Sequence, residues 1–130
     1  MIVLDASAAL DWLLQRPAGS RIEARIYSRP ESLHAPHIFD LELAQGIRKL
    51  AREKAISAAR GEQALGDLQR LRIVRYPHSI LLNRVWELRH SLTAYDAAYI
   101  ALAEQLGAPL ITCDARIGAA HGYHARVEVF

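Results

Sequence analysis

Residues 92–114 read LTAYDAAYIALAEQLGAPLITCD and contain a helix, a break and a strand in direct succession. The alanine-rich stretch Thr93–Leu106 predicts a helix, and Gly107 is the residue type that most often ends one. Pro109–Cys113 is an apolar run with the length of a buried strand, and Asp114 stops it. A helix that returns directly to a buried strand is a building unit of parallel sheets. This stretch therefore predicts the α/β class.

The rest of the chain extends the same alternation to both ends. Met1–Leu4 is another short apolar run, and Asp5 ends it. Strands that alternate with helices predict a parallel sheet covered on both faces. The other predicted elements are helices over Ala6–Gln15, Arg21–Arg29, Ile38–Lys54, Ser57–Leu71 and Ile80–His90, strands over Ser32–Ala35, Arg72–Tyr76 and Ala125–Phe130, and a short helical turn after Asp114.

Length and composition limit the class of protein. The chain has 130 residues, of which 52% are apolar and 23% charged, so we expect one folded domain spanning 1–130 rather than a disordered chain. Its single cysteine excludes an internal disulfide framework and a cysteine-rich zinc site. No apolar run approaches the roughly 20 residues of a membrane span, and the N-terminus lacks a basic leader. We therefore expect a cytoplasmic protein with no membrane association.

The charges are unevenly distributed along the chain. Residues 16–90 contain fourteen Lys and Arg against eight Asp and Glu, whereas each end is acidic by two charges. A basic middle beside acidic ends suits a polyanion held next to a carboxylate cluster. Amphipathic helices with solvated basic faces would give the same balance, so both interpretations stay open. The candidate residues for binding such a polyanion are Arg48, Lys49, Arg52, Arg89 and Arg116.

Four acids occupy positions that share one edge of such a sheet. Asp5 and Asp114 follow predicted strands, and Glu42 and Asp96 lie in the first turns of predicted helices. Ligands of open parallel sheets bind beyond the carboxyl ends of the strands, near a switch in strand order. Helix capping is the alternative role of Asp5 and Asp114. An acid that faces inward is costly unless it is paired or binds a cation, which favours a site for Glu42 and Asp96.

The predicted ligand set selects a particular kind of metal. Carboxylate oxygens suit Mg²⁺ or Mn²⁺ better than zinc, and such ions suit phosphate chemistry. Ser7 and Thr112 each lie within two residues of an acid and have hydroxyls that could orient it, or that serve only as a helix cap and a strand-end side chain. Cys113 has no histidine placed to activate it, so we expect a buried structural role.

Four segments together resemble a known family: VLDASAAL, DLELAQGIRKL, LTAYDAAYIALAEQLG and LITCD. In order and spacing they are similar to the PIN-domain ribonucleases, most closely the VapC-like toxins of toxin–antitoxin pairs. The resemblance implies a three-layer α/β/α fold with about five parallel strands. It also implies a Mg²⁺- or Mn²⁺-dependent endoribonuclease that hydrolyses phosphodiesters with an activated water. The metal and catalytic positions that it implies are Asp5, Glu42, Asp96 and Asp114.

Other functions are compatible with parts of this pattern. A phosphoacceptor receiver needs a lysine after a late strand, but the two lysines, Lys49 and Lys54, both lie in the predicted third helix. A dehalogenase-like phosphatase needs Asp-x-Asp where this chain has Asp5-Ala6-Ser7. A catalytically inactive PIN-like module that binds RNA or protein stays open as the alternative.

The resemblance also implies protein partners. These are a cognate antitoxin, a homodimer contact and the larger toxin–antitoxin complex that the two together would form. The helices over Ala6–Gln15 and Arg21–Arg29 carry more apolar side chains than one face over a sheet requires, which predicts an interaction surface there. Its residues are Trp12, Leu13, Leu14, Ile22, Ile26 and Tyr27.

Overall fold

A computed structural model describes the whole chain, residues 1–130, and contains one sheet of five parallel strands. The strand order is β3-β2-β1-β4-β5, and every neighbouring pair is parallel. The prediction of an α/β fold with a central parallel sheet is therefore confirmed. The strands are β1 (Ile2–Leu4), β2 (Leu33–Pro36), β3 (Ile73–Tyr76), β4 (Leu110–Thr112) and β5 (Val127–Val129).

Seven helices connect and cover these strands. The predicted helices are present, with ends that differ by one to a few residues. The largest difference lies in the segment predicted as one helix over Ile80–His90, which is a 3₁₀ turn at His78–Ile80 followed by a short helix. The helices are α1 (Ala6–Leu13), α2 (Gly19–Tyr27), α3 (Ile38–Arg52), α4 (Ala58–Arg70), α5 (Leu82–Glu87), α6 (Ala94–Leu106) and α7 (Ala115–Ala119).

The start of α2 differs from the prediction because Gly19 packs closely against α1. A Cβ at Gly19 would lie 2.5 Å from the backbone oxygen of Asp11. The missing side chain is what lets the first turn of α2 approach α1. Glycine is usually unfavourable inside a helix, so its residue type alone does not indicate that Gly19 belongs to α2.

The core lies on both sides of β1. Ile2, Val3 and Leu4 are all fully buried, and successive side chains of a strand point to opposite faces, so helices cover both faces of the sheet. Helix α6 crosses β1, β2 and β4 with small side chains, and its Tyr99 and Ile100 are fully buried. No helix is both long and apolar enough to span a bilayer.

The predicted interaction surface on α1 and α2 is wrong in part. Ile22 and Ile26 are buried and belong to the core. Tyr27 is exposed, and its ring meets the Trp12 ring edge-on with the centroids 6.2 Å apart. The apolar surplus is smaller than predicted because the two isoleucines pack inward.

The strand order reverses between β1 and β4. The chain proceeds from β1 to β2 and β3 on one side, and α6 then returns it to β4 and β5 on the other. Asp5 follows β1 directly, and Asp114 lies two residues after the end of β4. The switch point where parallel sheets bind ligands thus has an acid at each of its two strand ends.

Candidate active site

Asp5 is buried at the end of β1, with 4% of its surface exposed. It occupies the N-cap position of α1, yet its side chain accepts no capping hydrogen bond. Its Oδ2 instead accepts hydrogen bonds from the hydroxyl of Ser7 and, at 2.7 Å, from Thr112 Oγ1. The capping role is therefore not what Asp5 does in this fold.

The two hydroxyls that bind Asp5 also join β1 to β4. Ser7 Oγ accepts from the backbone N–H of Cys113 at 3.0 Å, and Thr112 Oγ1 accepts from that of Asp114 at 2.9 Å. Each hydroxyl has one hydrogen, and each donates it to the same carboxylate oxygen. The Asp5 carboxylate is thus held in one orientation by a side chain of α1 and a side chain of β4.

Glu42 reaches the same region from α3. The fully buried Tyr99 of α6 donates its phenolic hydrogen to Glu42 Oε1 at 3.0 Å. Asp40 lies two residues earlier and points elsewhere, forming a two-pronged ion pair with Arg75 at 2.6 and 2.8 Å. Sequence analysis did not identify Tyr99 as part of the site, although the hydroxyl of a buried tyrosine usually requires a partner.

Asp96 lies in the first turn of α6. Thr93 is the N-cap of this helix, and its Oγ1 accepts from the backbone N–H of Asp96 at 3.2 Å. The Asp96 side chain is half-buried and forms no ion pair. Its placement follows from the helix cap, which fixes where the first turn begins.

Asp5, Glu42 and Asp96 are the only acids shielded from solvent that form no ion pair; the other shielded acids all have a basic partner. Burial raises the pKa of each of the three above its ordinary value. Their mutual repulsion adds to this, since Asp5 and Asp96 both raise the pKa of Glu42. The three carboxylates are therefore close enough to interact and lack a counter-charge.

Asp114 differs from the other three acids. It caps α7 by accepting from the backbone N–H of Arg116 at 2.9 Å, as the capping interpretation predicts. The Arg116 guanidinium also binds its carboxylate and holds the pKa of Asp114 below the ordinary value. Asp114 in turn raises the pKa of Asp96, so it lies within electrostatic range of the cluster.

The donor chemistry of the four acids fits a hard divalent cation. They offer oxygen ligands only, and three of them lack a positive partner. As the side chains are arranged, no three histidine, cysteine, aspartate or glutamate residues form a ready ligand set. Three of the four carboxylates already have side-chain partners in the protein: Asp5 binds Ser7 and Thr112, Glu42 binds Tyr99, and Asp114 binds Arg116.

An open groove runs past Glu42 and Asp96, and a second groove with a basic surface adjoins it at Gln45. The exposed residues Arg48, Lys49 and Arg52 of α3 line this second groove, and Gln45 lines both. Sequence reasoning did not identify Gln45 or Tyr95, which carry no motif signal. The acid groove is lined by Ile38, Leu41, Glu42, Gln45, Thr93, Tyr95, Asp96 and Arg116.

Arg89 lies outside both grooves. Its guanidinium sits 4.5 Å from the centroid of the exposed Trp86 ring and donates to the Trp86 carbonyl at 2.9 Å. The predicted grouping of Arg89 with the basic residues of α3 is therefore not what the structure contains. Neighbouring sequence position put Arg89 near Asp96, but the short helix α5 orients it toward Trp86.

The other reactive side chains have structural roles. Burial raises the pKa of the Cys113 thiol to about 11, which keeps it protonated and unreactive at neutral pH. His34 is buried between the hydroxyls of Ser32 and Tyr76. His78 Nε2 accepts from the backbone N–H of Ile38. These contacts leave the carboxylates as the chemistry of the site.

The chain matches known proteins over almost its whole length. The sequence profile of the PIN domain covers residues 2–122. Ribonuclease VapC9 of Mycobacterium tuberculosis is 47% identical over 117 residues, which make up 90% of this chain and 88% of that protein. Ribonuclease VapC12 of the same species is 42% identical over 129 residues, or 99% and 98% of the two chains. VapBC2 from Rickettsia felis, solved with a DNA fragment from its promoter, shares the fold with a TM-score of 0.70 at 14% identity, over 99% of this chain and 98% of that one.

Proposed function

This chain belongs to the PIN-domain family, and from that premise we propose that it is an endoribonuclease, the toxin of a toxin–antitoxin pair. One observation carries the proposal: Asp5, Glu42 and Asp96 are shielded carboxylates without counter-charge, near the switch point of the sheet. The similarity to VapC ribonucleases at 42% and 47% identity supports RNA as the substrate.

We infer that the site holds Mg²⁺ or Mn²⁺ and that the reaction depends on it. The residues that would hold the ion are Asp5, Glu42, Asp96 and Asp114, because they offer only oxygen donors and their negative charges need a cation. When bound, such an ion supplies Lewis-acid activation of water and of a phosphate group.

The other residues of the site keep the carboxylates in place. Ser7 and Thr112 fix the Asp5 carboxylate, and Tyr99 fixes that of Glu42. Side chains that orient ligands in this way limit the reorganisation that binding an ion would require. Ser7, Thr112 and Tyr99 are therefore positioning residues.

The RNA backbone would follow the two grooves that meet at Gln45. Arg48, Lys49 and Arg52 offer positive charge to successive phosphates, while the acid groove receives the phosphodiester to be cut. Arg116 lines the acid groove and is well exposed, so it is also available to a phosphate. This arrangement brings the negative polymer to the acids from a basic side.

We also propose two protein partners. A cognate antitoxin is supported by the structural likeness to VapBC2, and a homodimer is expected from the same family. Co-expression with the product of the adjacent reading frame tests the first, by co-purification and by loss of RNA cleavage in the complex. Light scattering of the purified chain tests the second.

Cleavage of total RNA by the purified protein, mapped by end sequencing, tests the proposed activity. We expect cleavage with Mg²⁺ or Mn²⁺, none in excess chelator, and none for Asp5→Asn or Asp96→Asn. Glu42→Gln removes a further charge of the acid cluster. Its matched control is Asp40→Asn, since Asp40 lies on the same helix but faces Arg75.

Two results would count against the proposal. Full activity in excess chelator would exclude the metal-dependent reaction. Salt-sensitive RNA binding without cleavage of any RNA would instead identify the chain as an inactive PIN-like binding module.

A further inference from the structure

The ion pair between Arg116 and Asp114 uses both oxygens of a carboxylate in the acid cluster. Arg116 Nε lies 3.0 Å from Oδ1 and 3.2 Å from Oδ2, and the terminal Nη2 lies 2.6 Å from Oδ2. The two residues are two positions apart, at the cap and first turn of α7. The planar guanidinium thus faces the oxygens that Asp114 would otherwise offer to an ion.

Arg116 is also the only basic residue that lines the acid groove. Its positive charge acts on Asp96 as well, where it offsets a small part of the rise in pKa that burial causes. The remaining acids, Asp5 and Glu42, have only hydroxyl partners. The Arg116 guanidinium is therefore the one positive charge beside an acid cluster that otherwise has no cationic partner.

We propose that Arg116 closes the acid cluster of the metal-free protein by holding Asp114, and that a divalent cation binds as Arg116 releases it. This inference rests on the proposed function, because it takes the acid cluster to be a metal site.

The contact is well suited to being broken. The Arg116 side chain is 86% exposed, whereas that of Asp114 is only 19% exposed, so the arginine can swing into solvent while the carboxylate stays. Ion pairs with a solvated partner contribute little net stability, because water replaces the contact. A divalent cation that binds Asp114 therefore has to displace only an exposed arginine that contributes little stability.

Titration of the metal-free protein with Mn²⁺, followed by calorimetry and by the loss of the free-ion electron paramagnetic resonance signal, tests the proposal. We expect Arg116→Ala to bind Mn²⁺ roughly two- to five-fold more tightly than the parent, the factor that corresponds to an exposed ion pair. Arg116→Lys keeps the charge but loses the planar fork, so its affinity should lie between those two.

Arg126→Ala is the matched control. Arg126 also pairs with an acid two residues away, Glu128 at 2.9 Å, and its side chain is 77% exposed. It lines neither the acid groove nor the basic one, so we expect parental Mn²⁺ affinity. A tightening equal to that of Arg116→Ala would mean that net charge alone is responsible, which would overturn the proposal.

The remaining outcomes separate this proposal from the proposed function. If the parent and Arg116→Ala bind Mn²⁺ with equal affinity, the proposed role of the contact is overturned but the metal site is not. The same holds if Arg116→Ala binds Mn²⁺ more tightly than the parent and Arg116→Lys does not. Mn²⁺ binding by Arg116→Ala but not by the parent would support it strongly. Absence of binding in both would overturn the metal site and the proposal together.

Discussion

Tyr99 and Glu42 connect two helices beneath the acid cluster, with the phenolic hydroxyl of α6 donating to the carboxylate of α3 at 3.0 Å. Tyr99 is fully buried, so its hydroxyl has no access to solvent. The hydrogen bond lowers the pKa of Glu42, against the larger upward effect of burial. One tyrosine therefore both fills the core and helps to keep a site carboxylate ionised.

Removal of that hydroxyl should destabilise the fold. Tyr99→Phe leaves the shielded Glu42 carboxylate without a donor, so we expect the free energy of unfolding to fall by about 1–3 kcal/mol. Urea denaturation at neutral pH in the presence of chelator measures this change in the free energy of unfolding. Tyr95→Phe is the control, because Tyr95 is exposed and its hydroxyl makes no hydrogen bond within the protein. An equal effect of both changes would show that the contact contributes nothing.

The stability of the metal-free protein should fall as the pH rises toward neutrality because of Asp5. Burial raises the pKa of Asp5, so the folded state binds this proton more tightly than the unfolded chain does. The free energy of unfolding therefore decreases as the pH rises from about 4 and reaches its lowest value once the pH exceeds the raised pKa.

Comparison of the parent with Asp5→Asn isolates this effect from that of other titrating groups. We expect the variant to be the more stable protein at pH 7 in chelator, with the advantage vanishing near pH 4. Asp40→Asn should behave oppositely at pH 7, because it loses the ion pair with Arg75. Urea midpoints across this pH range measure both, and a constant difference between parent and Asp5→Asn would contradict the assignment.

The basic groove should make RNA binding sensitive to salt. Each phosphate contact that is lost reduces the slope of log K against log salt by about 0.7 for a single strand, so replacing Arg48, Lys49 and Arg52 by Ala should reduce it by about 2. Fluorescence anisotropy with a labelled oligonucleotide in chelator measures the slope without cleavage.

A control of equal charge distinguishes the groove from a solvated face. Arg29, Arg70 and Arg72 are exposed and line neither groove, so their triple replacement by Ala should leave most of the slope intact. If the two triple variants have the same slope, the basic surplus of the chain acts only through its net charge.

Two helical glycines should respond to alanine with opposite signs. Gly19→Ala places a Cβ 2.5 Å from the backbone oxygen of Asp11, and neither helix can yield cheaply, so we expect a loss of about 1–3 kcal/mol. Gly66 lies inside α4, and a Cβ added there would meet no atom within 4 Å, so Gly66→Ala should gain about 0.5–1 kcal/mol. Thermal or urea denaturation decides, and stabilisation by Gly19→Ala would contradict the close packing of α1 and α2.

The edge of the sheet on which the acids lie could be predicted because it follows from local order along the chain. Asp5 comes straight after β1 and Asp96 lies in the first turn of α6, and both boundaries carry sequence signals. The strand order, which brings Asp5 and Asp114 to adjacent strands, could not be predicted in the same way, because the alternation indicates parallel strands but not their order in the sheet.

The partners of each acid could not be predicted because they come from distant parts of the chain. Glu42 meets a tyrosine 57 residues away, and Asp5 meets a threonine 107 residues away. Periodicity indicates that Tyr99 faces inward, but not which carboxylate its hydroxyl reaches. Closeness in sequence is no better a guide, since Arg89 precedes Asp96 by seven residues and yet does not line the groove that Asp96 lines.

The pairing of β1 with β4 also sets when the site can exist during synthesis. Asp5 leaves the ribosome early, whereas Thr112 and Asp114 follow more than a hundred residues later, roughly 5–20 s at typical translation rates. Until β4 docks beside β1, Asp5 has neither its Thr112 hydroxyl nor its neighbouring acid. A nascent chain therefore lacks the complete acid cluster until β4 has been synthesised and has docked beside β1.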